Sequence, residues 1–502
     1  MTEILLCTLN AKYIQTSLGL RYLRANLGEQ RERSAIHEFT INQKTSEIVE
    51  EILRHSPRLI GFGVYIWNLK ETESVLRQLK SIRPELLIVL GGPELSHHHG
   101  KESICQFADC TIGGEADLEF PKVCQELLDG GDAPKFIQAS SPSLEELSLP
   151  YYEYTKADLT NRLIYVEASR GCPYRCEFCL SSLDTGVRDF PLEDFLTAMS
   201  HLLNQGCSTF KFVDRTFNLK PSLADAIMNF FLKRMQENLF LHFEMVPDRL
   251  PDIIKERLPH FPAGSLQFEI GIQTLNPEIG SRISRKVNPE LTFENLTYLK
   301  ENTQVHLHLD LIVGLPGESL ESIAHSFNQL WTAQPNEIQV GILKNLKGTP
   351  IARHATEFGM IFSPEPPYEI LQNKQLSFQT LQELKRFARV VEIYYNGGRF
   401  PRTLRRLTEI ADMKAFQVLF HFSKYIWQHT GQTYALSLPK QISLLEDFSH
   451  QLTQQSQDGI RTSLLEDLTD PECNPKLSKK GIPLHFHQDL QALWPKAKPS
   501  QA

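Results

Sequence analysis

Short apolar runs alternate with amphipathic segments over residues 1–130. The amphipathic segments, at residues 16–27, 45–56 and 69–82, carry apolar side chains with the period of a helix. The apolar runs lie at residues 3–9, 34–41, 58–66, 85–92 and 109–114. Strands that alternate with helices of this length indicate βαβ units and a parallel sheet. We therefore predict a doubly wound, Rossmann-like α/β domain over residues 1–135.

The alternation resumes after residues 136–161, a linker rich in Pro, Ser and Tyr that lacks a sustained period. Six further strands are predicted at residues 162–169, 209–216, 239–246, 265–273, 305–314 and 337–345. Six βα units are too few for a closed eight-fold barrel, so we predict a partial (βα)6 barrel over residues 162–370. From residue 371 the pattern is mainly helical, which predicts a C-terminal helical domain over residues 371–502.

The length of 502 residues indicates several domains. The content of 41% hydrophobic and 22% charged residues is typical of a globular protein. No run approaches the roughly 18 apolar residues of a membrane span, and the N-terminus does not resemble a signal peptide. We therefore expect a cytoplasmic protein without a membrane partner. The net charge of −8 argues against a generally basic surface. A local basic group in the C-terminal region indicates either a solvated helix face or a contact with an anion or a nucleic acid: Lys385, Arg386, Arg389, Arg399, Arg402, Arg405 and Arg406.

Three of the nine cysteines form a CxxxCxxC motif directly after a predicted strand: Cys172, Cys176 and Cys179. Thiolates are the usual ligands of iron–sulfur clusters. Three of them can hold three irons of a [4Fe–4S] cluster, which leaves the fourth iron open for a small molecule. A zinc site would need a fourth ligand that no neighbouring CxxC or HxxxH supplies, and Cys207 lies in a different βα unit. The motif therefore predicts an open [4Fe–4S] cluster.

This motif, after the first strand of a partial barrel, resembles that of the radical S-adenosylmethionine (SAM) superfamily. The resemblance implies that the open iron binds SAM and that the cluster reductively cleaves it to a 5′-deoxyadenosyl radical. Later segments, among them FVDRTFN at residues 212–218, resemble the branch that includes coproporphyrinogen dehydrogenases, Elongator-type proteins and methylthiotransferases. The residues that would bind SAM by this resemblance are Phe178, Glu244, Gln273, Arg285 and Asp310.

The N-terminal domain resembles that of the cobalamin-binding subclass, on LGGPE at residues 90–94 and IGGEAD at residues 112–117. The resemblance implies a bound cobalamin. Its candidate contacts are Tyr65, Gly91, Gly92, Gly114 and Glu115. The glycines fit either a close ligand or tight turns. No GxGxxG follows the first strand, which disfavours a dinucleotide, and no DxHxxG supplies a histidine for cobalt. The loop at residues 97–99, three histidines, is interpreted as solvated.

The leading hypothesis is a cobalamin-dependent methyltransferase that acts on an unactivated carbon of a small molecule or an RNA. By the resemblance, one SAM methylates reduced cobalamin, a second SAM supplies the radical, and a flavodoxin or ferredoxin supplies electrons. The motifs indicate neither the substrate, nor the catalytic residues, nor the oligomeric state.

Two alternatives stay open. An RNA-modifying enzyme of the methylthiotransferase or Elongator type would work without cobalamin. Such a methylthiotransferase would carry a second set of three cysteines in the first domain, which Cys7, Cys105, Cys110 and Cys124 do not obviously supply. A non-catalytic cobalamin or redox sensor would have no need of an open iron.

Overall fold

The computed structural model describes residues 2–97, 100–184, 186–453 and 457–474. Within these residues, two six-stranded parallel sheets follow one another along the chain, and a helical region completes it. This order of layers is the one that the sequence predicts. None of the described helices is both long and apolar enough to cross a lipid bilayer.

The first sheet has the strand order β2-β1-β3-β4-β5-β6, which is the doubly wound order of flavodoxin-like domains. Its strands are β1 (Ile4–Asn10), β2 (Ser34–Thr40), β3 (Leu59–Gly63), β4 (Leu87–Gly91), β5 (Cys110–Gly113) and β6 (Phe136–Gln138). Its helices are α1 (Leu18–Ala25), α2 (Thr45–Arg54), α3 (Leu69–Ile82) and α4 (Glu119–Leu128). Separate apolar clusters cover the two faces of the sheet, and β1 is buried over its whole length.

Two details of the first domain differ from the sequence expectation. The sheet has a sixth strand, β6, which forms from residues 136–138 of the expected linker and pairs with β5. Its three residues carry no readable period, so only pairing with β5 makes them a strand. Strand β3 ends at Gly63, before the predicted residue 66, because the chain then turns: the Asn68 N–H donates to the Tyr65 carbonyl at 3.0 Å, and the Tyr65 N–H donates to Asn68 Oδ1 at 2.8 Å.

The second sheet has the order β14-β13-β12-β11-β10-β7 and forms the predicted six-stranded partial barrel. Its strands are β7 (Ile164–Val166), β10 (Thr209–Phe212), β11 (Phe240–Met245), β12 (Leu266–Gln273), β13 (His306–Val313) and β14 (Glu337–Ile342). A short antiparallel pair, β8 (Ser169–Arg170) and β9 (Arg188–Asp189), brackets the cysteine loop. The helices are α5 (Lys156–Asn161), α6 (Leu192–Asn204), α7 (Pro221–Leu232), α8 (Asp252–Arg257), α9 (Pro277–Arg282), α10 (Pro289–Asn302) and α11 (Leu320–Thr332).

Burial alternates strictly along β12 and β13, which shows how the barrel is filled. The fully buried positions are apolar and pack against the surrounding helices, as Phe268 and Leu309 do. The alternate positions, such as Glu269 and His308, face the interior of the barrel and are only partly buried. The interior is therefore polar, which strand periodicity alone did not show.

The C-terminal region packs onto the barrel as part of one apolar cluster. It comprises α12 (Ala355–Phe358), the strand pair β15 (Ile361–Phe362) and β16 (Ile370–Gln372), and α13 (Phe378–Val390), α14 (Pro401–Ile410), α15 (Ala415–Thr430), α16 (Leu438–Thr453) and α17 (Gln457–Thr469). The ring of Phe387 in α13 lies 5.0 Å from Phe327 of α11 and 4.7 Å from Phe416 of α15. Helix α13 continues directly into a π-helix at Val391–Asn396. Residues 475–502 of the expected helical domain lie outside the described residues.

Candidate active site

The three cysteines of the motif lie on the loop between β8 and β9, at the mouth of the barrel. Cys176 is buried, and Cys172 and Cys179 are half-buried. Burial raises the pKa of the Cys176 thiol, and the positive charge of Arg285 opposes that rise.

Two buried acids, which the sequence reasoning missed, hold this loop in place. Glu177 accepts hydrogen bonds from Ser284 at 2.9 Å and pairs with His354 at 2.9 Å, and both partners come from later segments of the chain. Asp214 accepts hydrogen bonds from the Ala168 N–H at 3.0 Å and the Ser169 hydroxyl at 2.6 Å, just before the loop. Burial raises the pKa of Asp214 to about 7. The only sequence signal for these acids is their position inside the motifs CEFC and FVDRT.

All eight residues predicted for the cluster and SAM line one cavity of about 140 Å³. They are Cys172, Cys176, Cys179, Phe178, Glu244, Gln273, Arg285 and Asp310. Successive barrel strands contribute Glu244 from β11, Gln273 from the end of β12 and Asp310 from β13. The cavity also includes Arg215, Thr216 and Glu269, which the sequence reasoning did not single out. Of these, Arg215 pairs with Glu244 at 3.3 Å.

Two polar atoms in this cavity are buried without a hydrogen-bond partner, which suits a ligand that brings its own polar groups. Arg285 Nη2 donates to the Gly271 carbonyl at 2.6 Å, and Arg285 Nη1 lies 3.7 Å from Cys176 Sγ. The third guanidinium nitrogen, Nε, has no partner. Asp310 Oδ1 lies 3.3 Å from His308 Nε2 without the alignment of a hydrogen bond. Unpaired buried polar atoms are costly. SAM offers a carboxylate, an ammonium and ribose hydroxyls, so this donor and acceptor set fits it.

Charged side chains continue from this cavity into the interior of the barrel. Glu269 pairs with His242 at 3.0 Å. Burial would raise the pKa of Glu269, but His242 and Lys211 outweigh burial and lower this pKa to about 2. His308 pairs with Glu337 at 3.2 Å. Burial would lower the pKa of His308, but its acidic neighbours raise it to about 10. The interior is thus a set of paired charges that fixes the strands which carry the cavity residues.

A second cavity, of about 280 Å³, lies at the carboxyl ends of the first sheet. All five candidate cobalamin contacts line it: Tyr65, Gly91, Gly92, Gly114 and Glu115. Tyr65 is just beyond β3, and its ring stacks on Trp67 at 4.5 Å. Burial raises the pKa of the Tyr65 hydroxyl. Among the described residues, none that lines this cavity is a histidine, and His98 and His99 lie outside those residues.

Glycines allow close packing in the wall of this second cavity. A side-chain carbon at Gly61 would lie 2.8 Å from the Phe120 ring, and one at Gly114 would lie 2.9 Å from the Ala139 carbonyl oxygen. Gly114 also has a φ of +81°, which favours glycine. The largely apolar lining and the close approach of backbone fit part of a large, mostly apolar cofactor such as cobalamin.

Arg170 connects the two cavities. Its side chain lines the second cavity, while Cys172, two residues further on, lines the first. Arg170 pairs at 2.8 Å with Glu115, at 2.9 Å with Asp117 and at 2.8 Å with Glu167. The first two acids belong to the loop after β5, so the arginine joins the first domain to the cysteine loop.

A second buried contact joins the two domains on another side of the interface. Glu94, from the LGGPE segment, accepts a hydrogen bond from the Tyr368 hydroxyl at 2.5 Å and pairs with Lys347 at 2.9 Å. Lys347 also pairs with Glu102 at 2.8 Å. Glycine-rich loops and the region after the barrel are therefore held together by charge and hydrogen bonds.

Six of the seven basic residues singled out in the C-terminal region contact neighbouring side chains. Arg402 pairs with Asp467 at 3.3 Å and Asp470 at 2.7 Å, and Arg405 pairs with Glu409 at 3.3 Å. Arg386 lies 4.6 Å above the Trp427 ring. These contacts favour the solvated helix face over an anion contact.

Three family models match successive parts of the chain. A B12 binding domain matches residues 4–123, and the radical SAM superfamily matches residues 166–330. A family of proteins of unknown function (DUF4080) matches residues 356–481.

Individual proteins resemble the chain at low identity. An uncharacterized methyltransferase of Pyrococcus horikoshii is 23% identical over 335 residues, which are 61% of this chain and 71% of that protein. The cobalamin-dependent radical SAM methyltransferase TokK of Streptomyces tokunonensis is 23% identical over 334 residues, 58% of this chain and 47% of TokK. The chain thus spans about half the length of TokK.

One solved structure extends the likeness to the whole chain. The cobalamin-dependent SAM radical enzyme OxsB, with aqua-cobalamin and SAM bound, superposes with a TM-score of 0.61 at 14% identity. The superposition covers 100% of this chain and 82% of that one. At this identity the likeness establishes a common fold.

Proposed function

We propose that this chain, a radical SAM enzyme with a B12 binding domain, is a cobalamin-dependent methyltransferase that acts on an unactivated carbon of a small molecule. Its cofactors are a [4Fe–4S] cluster, SAM and cobalamin, as the sequence predicts. The observation that supports the proposal best is the adjacency of the two cavities, which are two residues apart along the chain at Arg170 and Cys172.

We assign the two cofactor sites residue by residue. Cys172, Cys176 and Cys179 would hold three irons of the cluster, and Phe178, Glu244, Gln273, Arg285 and Asp310 would bind SAM. The unpartnered Nε of Arg285 is available to the carboxylate of SAM, and Asp310 is available to a hydroxyl or an ammonium. Tyr65, Gly91, Gly92, Gly114 and Glu115 would contact cobalamin, whose cobalt would take no histidine from the described cavity residues.

When bound, the cluster supplies an electron to SAM and cobalamin carries a methyl group. The chain's own residues orient these groups. Glu177 and Asp214 fix the cysteine loop, and Arg170 fixes that loop against the first domain. Burial raises the pKa of Asp310 and of Glu244, so both carboxyls are held in a site that is poorly solvated. A poorly solvated site also protects a reactive radical from side reactions.

A small-molecule substrate is favoured over RNA by the charge distribution. The chain has a net charge of −8, Arg402, Arg405 and Arg406 are paired with acids, and Arg386 is stacked on a tryptophan. An RNA-binding surface needs free basic side chains. We also propose a flavodoxin or ferredoxin as electron donor and a cytoplasmic location, where thiols stay reduced.

The methylthiotransferase alternative would need a second cysteine cluster in the first domain. Cys7, Cys110 and Cys124 are buried on β1, β5 and α4, and Cys105 is half-buried. These four cysteines lie on separate elements of the first domain, whereas Cys172, Cys176 and Cys179 share one loop. The first domain therefore supports cobalamin binding better than a second iron–sulfur cluster.

The test is anaerobic reconstitution of the full chain with iron, sulfide and hydroxocobalamin, followed by addition of SAM and a reductant. We expect four irons and one cobalt per chain, and two products of SAM, S-adenosylhomocysteine and 5′-deoxyadenosine. The variant with Cys172, Cys176 and Cys179 changed to Ala should lose iron and 5′-deoxyadenosine formation but keep cobalt. A Cys105→Ala variant serves as the control and should match the parent. A parent protein that binds four irons and no cobalt would overturn the cobalamin assignment and favour the RNA-modifying alternative.

A further inference from the structure

A group of three metal-ligating side chains lies on the outer edge of the first sheet, apart from both cofactor cavities. His37 is on the edge strand β2, Glu51 is on α2, and His55 directly follows the last residue of α2. The potential ligand atoms of all three lie within 4.8 Å of one another. In the described part of the chain, they form the only group of His, Cys, Asp and Glu with this spacing.

The distances suit a tetrahedral ion. His37 Nδ1 and His55 Nε2 are 3.2 Å apart, and His55 Nε2 is 3.7 Å from Glu51 Oε1. With Zn–N bonds of about 2.0–2.1 Å, two ligands of a tetrahedral zinc ion stand about 3.3 Å apart. Two histidines and one carboxylate leave the fourth position for water, because all three side chains are partly exposed.

The surroundings orient the ligands. The second oxygen of Glu51, Oε2, accepts a hydrogen bond from Arg54, which leaves Oε1 turned toward His55. The His37 ring stacks at 4.4 Å on Phe39, which is buried. Such outer contacts fix ligand geometry in metal sites. The group also lies at the C-terminal end of α2, where the helix dipole favours a cation.

The two imidazoles face each other through His37 Nδ1 and His55 Nε2. An imidazole binds a metal ion through a ring nitrogen. A single proton is shared between His37 Nδ1 and His55 Nε2, which are 3.2 Å apart. A zinc ion can replace that proton with little change in this distance, because two zinc ligands stand about 3.3 Å apart.

We propose that His37, Glu51 and His55 bind a zinc ion that joins the edge strand β2 to α2. The ion would hold β2 in place beside β1 and so stabilise the sheet of the cobalamin-binding domain. The assignment is independent of the proposed methyl transfer, since it uses no residue of either cofactor cavity.

The experiment measures zinc per chain in full-length protein that already contains its iron–sulfur cluster. Chelator-treated protein is equilibrated anaerobically with buffered zinc, separated from free ion and analysed by mass spectrometry of the metals. The variants are His37→Gln and His55→Gln, and the control is His325→Gln, an exposed histidine on α11. Any zinc on the cluster cysteines is common to all four proteins and cancels in the comparison.

We expect the parent and the His325→Gln control to hold one zinc ion more per chain than either site variant. Zinc should also raise the thermal midpoint of the parent but not of the variants. The Glu51→Gln variant, which keeps the shape of the side chain, should bind zinc more weakly while its circular dichroism stays unchanged. Equal zinc content in the parent, His37→Gln and His55→Gln proteins would overturn the proposal, and so would equal zinc affinity in the parent and Glu51→Gln proteins.

Discussion

Replacement of Arg170 by Gln should impair the formation of S-adenosylhomocysteine, which needs cobalamin, more than the formation of 5′-deoxyadenosine, which needs only the cluster. The arginine side chain is only 13% exposed and pairs with three acids, Glu115, Asp117 and Glu167. It also lies 4.5 Å above the Tyr22 ring. Glutamine keeps the length of the first part of the side chain but removes the charge, so three carboxylates lose their shared partner.

The magnitude follows from burial. Removal of one partner from a buried ion pair costs about 3–5 kcal/mol, because the remaining charge is left uncompensated. Arg188→Gln is the matched control, since Arg188 also pairs with Glu115 but is 31% exposed. Its loss should cost about 1 kcal/mol. We expect the loss of stability in Arg170→Gln to weaken the contact between the first domain and the cysteine loop, because Arg170 bridges the two.

The assays need no knowledge of the substrate. Denaturation of the apo chain by urea compares the stability of the parent, Arg170→Gln and Arg188→Gln proteins. Titration with hydroxocobalamin and quantification of S-adenosylhomocysteine and 5′-deoxyadenosine then compare function. Arg170→Gln should lose at least tenfold in cobalamin affinity and in S-adenosylhomocysteine formation, while iron content and 5′-deoxyadenosine stay close to the parent. A parallel fall of both SAM products would indicate a merely structural role. Equal effects at Arg170 and Arg188 would show that burial does not set the strength of these ion pairs.

Three further predictions concern stability and cofactor affinity. The pKa of His308 is raised to about 10 by its acidic neighbours. The stability that protonated His308 gives to the fold is therefore complete below pH 6.5 and is lost as the pH rises toward 10. The thermal midpoint of the parent should fall over this range more steeply than that of His308→Gln. Gly114→Ala should weaken cobalamin binding, measured by absorbance titration, because its side chain would lie 2.9 Å from a backbone oxygen. Gly130→Ala is the control, since its φ of +84° is equally strained but no atom lies within 4 Å, so its cobalamin affinity should equal that of the parent. Tyr368→Phe removes the hydrogen bond to Glu94 and should cost about 1.5–3 kcal/mol, measured by chemical denaturation; an unchanged midpoint would show that this contact does not stabilise the domain interface.

Local pattern was sufficient for most strands, and the residues it singled out line two cavities. The continuous apolar run of β1 and the alternation of β12 predict strands because burial on two faces or one face leaves a direct trace in sequence. The CxxxCxxC motif predicts its cluster because the three thiols lie on one loop. By contrast, Phe136–Gln138 looked like linker, since a three-residue edge strand is defined by its partner β5 and not by its own period.

The sequence alone predicts most of the elements, the cofactors of the chain and the residue types at the strand ends. Folding was needed to show that Arg170 bridges the two cavities, that Glu177 anchors the cluster loop to His354, and that His37 meets His55. These contacts join residues 18 to 177 positions apart. Hydrophobic periodicity records only whether a side chain faces the core, whereas the partner of a charged side chain depends on strand register and on how the domains pack. That information exists only once the chain has folded.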